Sequence, residues 1–317
     1  MNIFEEILAA EDRIRPYILK TPLLESKALS KLINGKVYLK LESEQHTGSF
    51  KARGSLNKLL SLSNNEKKIG TVTASTGNHA LGYARALEIV NTTGTIYLPE
   101  NASNAKIKAL ENYSVELKQY GNDSLTTELY AKQKAKDLNK IWISPYNDPQ
   151  IIGGQGTIGI ELVEQIEDFD YTLVTIGGGG LISGIGTYLN QVKPMTKIIG
   201  CQPENSPEMD LSLKANKIIT LPEYIDTLSD GSAGGIEEGA ITFPICKNVI
   251  DECILVSEEK IASAIKFVAH THRKIIEGAA GVAIASLIQN KRTFDGCTVV
   301  VIICGANIDM KKFKSII

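Results

Sequence analysis

Short apolar runs rich in β-branched residues alternate along this chain with longer segments in which apolar residues recur every three to four positions. Such alternation indicates parallel strands joined by crossover helices, because parallel neighbours need a long connection between them. It predicts the α/β class with open, mostly parallel sheets. The predicted strands are 37–41, 70–74, 94–98, 114–119, 171–176, 197–201 and 298–304, and the predicted helices between them are 82–90, 105–112, 124–137, 156–165 and 257–271.

The charge balance narrows the classes of partner. Thirty-four basic and 36 acidic residues give a net charge of −2, so no basic field attracts nucleic acid. No apolar run approaches the roughly 18 to 20 residues that span a bilayer. The N-terminus carries Glu5, Glu6 and Glu11 instead of a basic start followed by an apolar segment. We therefore expect a cytoplasmic protein whose partners are small molecules or copies of itself.

The five cysteines are scattered, odd in number and contain no C-x-x-C pair, which indicates neither a disulfide framework nor a zinc cluster.

Four consecutive glycines, Gly177, Gly178, Gly179 and Gly180, follow the strand predicted at 171–176 and precede a helix predicted at 181–190. Bare backbone N–H groups at such a turn can point at an anion, and the helix adds a partial positive end. The pattern differs from the dinucleotide fingerprint, and no acidic residue ends the next strand, which disfavours NAD. No Gly-Lys-Ser or Gly-Lys-Thr closes the loop, which disfavours a nucleotide P-loop. A phosphate cradle is predicted, with a plain flexible turn as the alternative.

Two further segments carry candidate chemistry. Lys51 lies between Phe50 and Ala52 among small residues, where partial desolvation would lower the pKa of its amine and make it a nucleophile toward an aldehyde. In residues 73–79 a strand ends in short hydroxyl and amide side chains that can bind a carboxylate. From these residues alone, a solvated surface lysine and an ordinary helix cap remain open.

Taken in order, five motifs resemble the serine/threonine dehydratase and serine racemase branch of the tryptophan-synthase-β-like (fold type II) pyridoxal-phosphate enzymes. These are Gly48-Ser49-Phe50-Lys51-Ala52-Arg53-Gly54, Ser75-Thr76-Gly77-Asn78-His79, Gly153-Gly154-Gln155-Gly156-Thr157-Ile158, the tetraglycine and Cys304-Gly305-Ala306-Asn307. The resemblance extends from Thr21 to Asn307. It implies two α/β lobes with twisted sheets and the cofactor between them, a large one of residues 1–51 and 149–317 and a small one of residues 52–148 inserted in it. The family is commonly dimeric or tetrameric, so a homodimer or homotetramer is expected.

The resemblance also implies roles for individual residues. Lys51 is the Schiff-base lysine and later takes the Cα proton, Phe50 packs beside the cofactor ring, and Gly177 to Gly180 hold its phosphate. Asn78 bonds the 3′-oxygen of the ring. Ser75, Thr76, Gly77 and His79 form the loop that closes on the substrate carboxylate.

Cys304 matches the position where the family places a side chain against the pyridine nitrogen. A thiol is a neutral, weak donor and cannot keep that nitrogen protonated as a carboxylate would. The weaker electron sink favours departure of a β-substituent over transamination. The resemblance thus implies a lyase that converts L-threonine or L-serine to a 2-oxo acid and ammonia by α,β-elimination.

The chain departs from the family at two places. Thr76 stands where racemases place a serine and many dehydratases an alanine, and the threonine methyl group restricts access to its hydroxyl. Gln202 stands where the family's cation site has an acid, with Ser206 and Glu208 aligned with the other ligands. A neutral oxygen holds a hard cation less strongly, so metal dependence stays open.

Other functions remain as alternatives. These are a serine racemase that uses Thr76, a hydroxyaspartate dehydratase, and a non-catalytic small-molecule-binding protein of the same fold. Arg53 and Arg85 are candidate anchors for the second carboxylate of hydroxyaspartate, against ordinary surface or phosphate-side roles. A cysteine synthase is disfavoured, because the glycine loop and His79 differ from that pattern.

Overall fold

The computed structural model describes residues 2–122, 124–223 and 225–317. The strands in these ranges are β1 (Leu23–Glu25), β2 (Lys36–Lys40), β3 (Thr71–Ala74), β4 (Gly94–Leu98), β5 (Glu116–Gln119), β6 (Ile141–Trp142), β7 (Tyr171–Thr175), β8 (Lys197–Pro203), β9 (Glu252–Val256) and β10 (Thr298–Ile302). The α-helices are α1 (Ile3–Ile14), α2 (Lys27–Leu32), α3 (Lys51–Ser61), α4 (Asn64–Ile69), α5 (Asn78–Val90), α6 (Asn104–Leu110), α7 (Ser124–Asp137), α8 (Pro149–Gln165), α9 (Gly180–Val192), α10 (Glu208–Ala215), α11 (Thr242–Val249), α12 (Glu258–His272), α13 (Gly278–Gln289) and α14 (Met310–Ile316).

The larger sheet has the strand order β1-β2-β10-β7-β8-β9. All its pairings are parallel except that of β1 with β2. Strand β10, at the centre, reads Thr-Val-Val-Val-Ile and is buried over its last four residues. Strands covered by helices on both faces are continuously apolar in this way, so the α/β prediction is confirmed.

The smaller sheet has the order β5-β4-β3-β6 and is parallel throughout. Its strands all come from residues 71–142, and those of the larger sheet come from the segments on either side. This arrangement agrees with a small lobe inserted in a large one. The boundaries at residues 51/52 and 148/149 stay a prediction.

Helix α8 packs against α1, α3 and α9 through glycines. A Cβ on Gly154 would lie 2.6 Å from Cα of Gly54 on α3, and one on Gly156 would lie 3.1 Å from the backbone oxygen of Gly184 on α9. Backbones approach this closely only where side chains are absent. The helix begins at Pro149, capped by the Asp148 side chain, so the start predicted at residue 156 is wrong.

A buried group of charges ties α3 to the large lobe. The Arg53 guanidinium, wholly buried, donates to both carboxylate oxygens of Glu42 at 2.8 Å and to those of Glu161 at 2.7 and 3.0 Å. Lys40, also wholly buried, pairs with the same Glu161. Arg53 is therefore neither a surface residue nor available to a substrate carboxylate, so both sequence-based roles for it are wrong.

In the part of the chain that the structure describes, no helix is both long and apolar enough to cross a bilayer.

Candidate active site

Lys51 is the first residue of α3 and points into the space between the two sheets. Its Nζ donates to the backbone oxygen of Pro145 at 2.6 Å and lies 5.2 Å from the centre of the Phe50 ring. Burial lowers the pKa of the Lys51 amine to about 8, although the carboxylates of Glu277 and Glu128 act against this. The lowered pKa increases the neutral fraction of the amine near pH 7, and the neutral form suits both attack on an aldehyde and proton abstraction. This burial agrees with the partly desolvated lysine predicted from the sequence, whose role stays a prediction.

The four glycines form the turn between β7 and α9, as predicted. A Cβ on Gly178 would lie 2.4 Å from the Tyr146 ring, and Gly179 has a φ of +88°. Nearby, the buried Thr242 hydroxyl has no hydrogen-bond partner, and its Cβ would lie 3.2 Å from a Cβ on Gly179. A buried orphan hydroxyl beside unshielded backbone amides fits an anion that both could bind.

Cys304 follows β10, is 3% exposed and lies with its Sγ 4.0 Å from Oε1 of Glu277. Burial and the neighbouring Glu277 raise the pKa of the Cys304 thiol well above its ordinary value. The side chain is therefore a neutral thiol at physiological pH. This is the weak, uncharged donor that the sequence analysis required of the residue facing a pyridine nitrogen.

Glu277 is a site residue that the sequence analysis missed. Its buried carboxylate accepts hydrogen bonds from Nδ2 of Asn78 at 2.8 and 2.9 Å. Burial raises the pKa of Glu277 to about 7, against the hydrogen bond from Asn78. The available signal was an acid directly before the small-residue helix α13, where a buried carboxylate needs a partner; its side chain does not cap the helix but bonds Asn78.

Asn78 connects two distant parts of the chain at this point. It begins α5, which follows a strand of the smaller sheet, and its Oδ1 accepts from Nδ2 of Asn307, which follows Cys304 after a strand of the larger sheet. The Asn78 side chain is thus held close to Cys304 and Glu277. Its predicted bond to a cofactor oxygen stays a prediction.

The segment from Ser75 to His79 is brought to the same cleft, but its members differ. Ser75, Thr76 and Gly77 are half-buried, and a Cβ on Gly77 would meet nothing within 4 Å. His79 is buried, with Nε2 3.0 Å from Oγ1 of Thr73 and Nδ1 3.4 Å from Oγ of Ser55. Burial and the nearby Lys51 charge lower the pKa of His79 to about 3. The His79 ring is therefore neutral and packs against Thr73 and Ser55, so its backbone, and not its ring, is available to a substrate.

These residues fit pyridoxal phosphate. A buried amine, a glycine turn with an orphan hydroxyl beside it, and a neutral thiol lie around one cleft between the sheets. The residues aligned with the family's cation site do not fit a cation in the same way. The Gln202 side-chain nitrogen, a donor, points at the Ser206 backbone oxygen at 3.2 Å.

Comparison with known proteins agrees with this geometry. The family described as "Pyridoxal-phosphate dependent enzyme" matches residues 14–305. An L-threonine ammonia-lyase of Thermotoga maritima is 38% identical over 319 residues, which cover 100% of this chain and 78% of that protein.

Solved structures lead to the same family. The processed form of threonine deaminase isoform 2 from Solanum lycopersicum has a TM-score of 0.94 and 34% identity, covering 99% of this chain and 86% of that chain. Serine racemase from Dictyostelium discoideum has a TM-score of 0.89 and 32% identity, covering 97% of this chain and 99% of that chain. The chain belongs to the pyridoxal-phosphate-dependent enzyme family of fold type II, as its ordered motifs had indicated.

Proposed function

We propose that this protein is an ammonia-lyase that converts L-threonine, and to some extent L-serine, to a 2-oxo acid and ammonia by α,β-elimination. The observation that carries the proposal is the pairing of a buried amine, Lys51, with a buried neutral thiol, Cys304, in one cleft. The 38% sequence identity to an L-threonine ammonia-lyase, which extends over the whole chain, supports the same reaction.

Each residue has a separate task in this proposal. When bound, pyridoxal phosphate supplies an electron sink that acidifies the Cα–H bond of an attached amino acid. The glycine turn and the helix α9 behind it hold the phosphate, and Ser75, Thr76 and Gly77 orient the substrate carboxylate. Phe50 packs beside the ring. The Lys51 amine takes the Cα proton as general base, and the β-hydroxyl departs with a proton as water. The released enamine then takes up one water, which gives the 2-oxo acid and ammonia without net loss of water.

Cys304 directs the outcome toward elimination. Its thiol stays protonated, because burial and Glu277 oppose formation of a thiolate. Beside the ring nitrogen of the bound cofactor, this neutral thiol would not hold a positive charge there. The cofactor would then supply a weaker electron sink, which favours loss of a β-substituent over transamination.

The alternatives differ in how the structure bears on them. Racemisation needs an acid on the face of the substrate opposite Lys51, and the hydroxyl of the half-buried Thr76 is the candidate. The similarity to a serine racemase structure supports racemisation as an alternative function. A hydroxyaspartate dehydratase needs a cation for a second carboxylate. Arg53 is taken up by Glu42 and Glu161, and Arg85 donates to the Tyr17 backbone oxygen, which weakens that alternative.

One experiment separates these functions. The purified holoenzyme is given L-threonine, L-serine or threo-3-hydroxyaspartate, and both 2-oxo acid formation and the enantiomer of the remaining substrate are followed. We expect 2-oxo acid with L-threonine as the best substrate. Accumulation of the D-enantiomer without oxo acid would instead favour the racemase, and cofactor absorbance with no turnover of any of the three would favour a non-catalytic binding protein.

We also propose that the enzyme is cytoplasmic and forms a homodimer or homotetramer, as the family resemblance implies. Light scattering coupled to gel filtration measures the oligomeric state directly, and a monomer at micromolar concentration would contradict this expectation.

A further inference from the structure

Gln202 lies on β8, 1% exposed, and its side-chain amide is completely engaged in hydrogen bonds. Nε2 donates to the backbone oxygens of Ser206 at 3.2 Å and of Ile176 at 3.4 Å, and Oε1 accepts from the backbone N–H of Asp210 at 2.8 Å. The orientation of the amide is determined chemically. A backbone N–H can only donate and a carbonyl can only accept, so the reversed amide would face three mismatched partners.

These bonds converge on the base of the glycine turn. The Ile176 oxygen belongs to the residue directly before Gly177. The Ser206 hydroxyl donates to the Glu208 carboxylate at 2.7 Å and accepts from the backbone N–H of Gly234 at 3.3 Å. The Gln202 amide therefore ties the end of β7 to the segment that leads into α10.

Both hydrogen-bond acceptors of the Gln202 nitrogen are oxygens. The backbone oxygens of Ile176 and Ser206 both face it, and the buried carboxylate of Glu208 is held by the same Ser206. Oxygen-only sets of carbonyls and carboxylates are what Ca²⁺ and Mg²⁺ prefer. An N–H donor in the middle satisfies the two carbonyls in a different way, by hydrogen bonding.

We propose that the Gln202 amide nitrogen takes the place of a divalent cation in this protein, so that the glycine turn is held without metal. Exchange of that one nitrogen for oxygen, in Gln202→Glu, leaves two carbonyls facing a carboxylate that cannot donate while it is ionised, and a cation can then join them. Gln202→Glu should convert a metal-independent protein into a metal-dependent one.

The test is thermal unfolding of the holoenzyme after treatment with EDTA, with and without excess CaCl₂ or MgCl₂ added back. For the wild type we expect the same Tm in all conditions. For Gln202→Glu we expect a Tm lower by about 5 °C or more in EDTA, because buried acceptors are left unpaired, with recovery on addition of CaCl₂. The affinity for pyridoxal phosphate, measured by absorbance titration, should follow the same pattern.

Two variants control for effects of charge and of lost contacts. Gln155→Glu makes the same exchange at a side chain that is also 1% exposed, and whose Oε1 accepts from the Gly54 N–H at 3.3 Å. It should lower the Tm with no recovery in CaCl₂. Gln202→Met removes the hydrogen bonds without adding charge, and should lower the Tm and the cofactor affinity regardless of metal.

The outcomes decide the proposal whichever substrate the enzyme takes, because a Tm does not depend on turnover. A wild-type Tm that falls in EDTA and recovers with CaCl₂ or MgCl₂ would overturn it, as would a folded Gln202→Glu protein that ignores both ions. If Gln202→Glu cannot be recovered folded under any condition, the wild-type comparison and Gln202→Met decide: a Gln202→Met Tm equal to that of the wild type would also refute the role of the amide.

Discussion

Replacement of Arg53 by methionine tests whether the buried charges around α3 stabilise the fold as paired groups. Methionine has a similar length and adds no charge, so the change removes the guanidinium with little change in volume. Glu161 would keep Lys40 and the partly exposed Arg15, whereas Glu42 would keep the hydroxyl of Thr21 and the charge of the nearby Lys40. Among the described residues, the variant therefore leaves one buried carboxylate without a hydrogen-bonded cation.

The size of the effect follows from the Glu161 carboxylate. Burial alone would raise its pKa, but the charges and hydrogen bonds of Arg53 and Lys40 outweigh burial and lower it to about 2. Against an ordinary value near 4.3, this corresponds to roughly 3 kcal/mol at neutral pH for the cations around Glu161 taken together. Loss of Arg53 removes part of that and also takes the hydrogen-bonded cation from Glu42, and loss of one member of a buried pair costs about 3–5 kcal/mol. We expect Arg53→Met to lower the free energy of unfolding by about 3–5 kcal/mol at pH 7.

The pH dependence supplies a second signature. The folded-state pKa of Glu161 is depressed, so its contribution is present above about pH 4.3 and is lost as the pH falls toward 2. The difference in free energy of unfolding between the wild type and Arg53→Met should decrease as the pH falls from about 4.3 toward 2. Urea unfolding at pH 7 and at decreasing pH, followed by circular dichroism, measures both.

Lys20→Met is the matched control, because Lys20 pairs with Glu164 on the same helix α8, and both side chains are about half exposed. An exposed pair of this kind contributes about 0–1 kcal/mol. If Arg53→Met costs no more than Lys20→Met, the buried charges do not stabilise the fold as described.

Three further predictions concern residues of the cleft. Thr76→Ser should raise the fraction of D-serine formed from L-serine, because it keeps the hydroxyl and removes the obstructing methyl group. Thr76→Ala should abolish formation of D-serine while elimination continues, and chiral chromatography checks both results. The raised pKa of Glu277 means that, between about pH 4.3 and 7, the folded state holds a proton that the unfolded state releases. The free energy of unfolding of the wild type should therefore fall as the pH rises through this range, and Glu277→Gln should remove that fall. Urea unfolding at pH 5 and 8 detects the difference. Lys51→Met should raise the Tm of the cofactor-free protein at pH 7 by about 2–4 °C, because burial disfavours the charged form of the Lys51 amine. This gain in Tm should vanish near pH 10, where the amine also loses its proton in the unfolded chain.

The parts of the fold that could be predicted are those encoded locally. The strands at 94–98 and 171–176 and the glycine turn appear as contiguous patterns, and the structure places them within one residue of the prediction. Strand β6 has only two residues, too few for any periodicity, and was missed. The first turns of α8 contain Gly153 and Gly154, which lower helix propensity, and only their contact with α1 and α3 explains them.

Among the site residues, those in local motifs could be predicted, and those placed by contacts between distant parts of the chain could not. Lys51, Cys304 and the glycines could be predicted, because each lies in a motif with its own chemical meaning. Arg53 could not be assigned, because its partner Glu161 lies 108 positions away and nothing in either neighbourhood indicates the pairing. His79 lies in a predicted binding segment, yet its ring turns into the small lobe, and only tertiary packing decides which way a side chain at a helix start faces.

The central claim is that the Lys51 amine carries the cofactor and the reaction. Borohydride reduction of the holoenzyme, followed by digestion and mass spectrometry, locates the lysine to which the cofactor becomes permanently attached. We expect the added mass on the peptide that contains Lys51, together with loss of the visible absorbance and of turnover. Attachment at any other lysine, such as the buried Lys40, or no attachment in a protein that still turns over substrate, would contradict it.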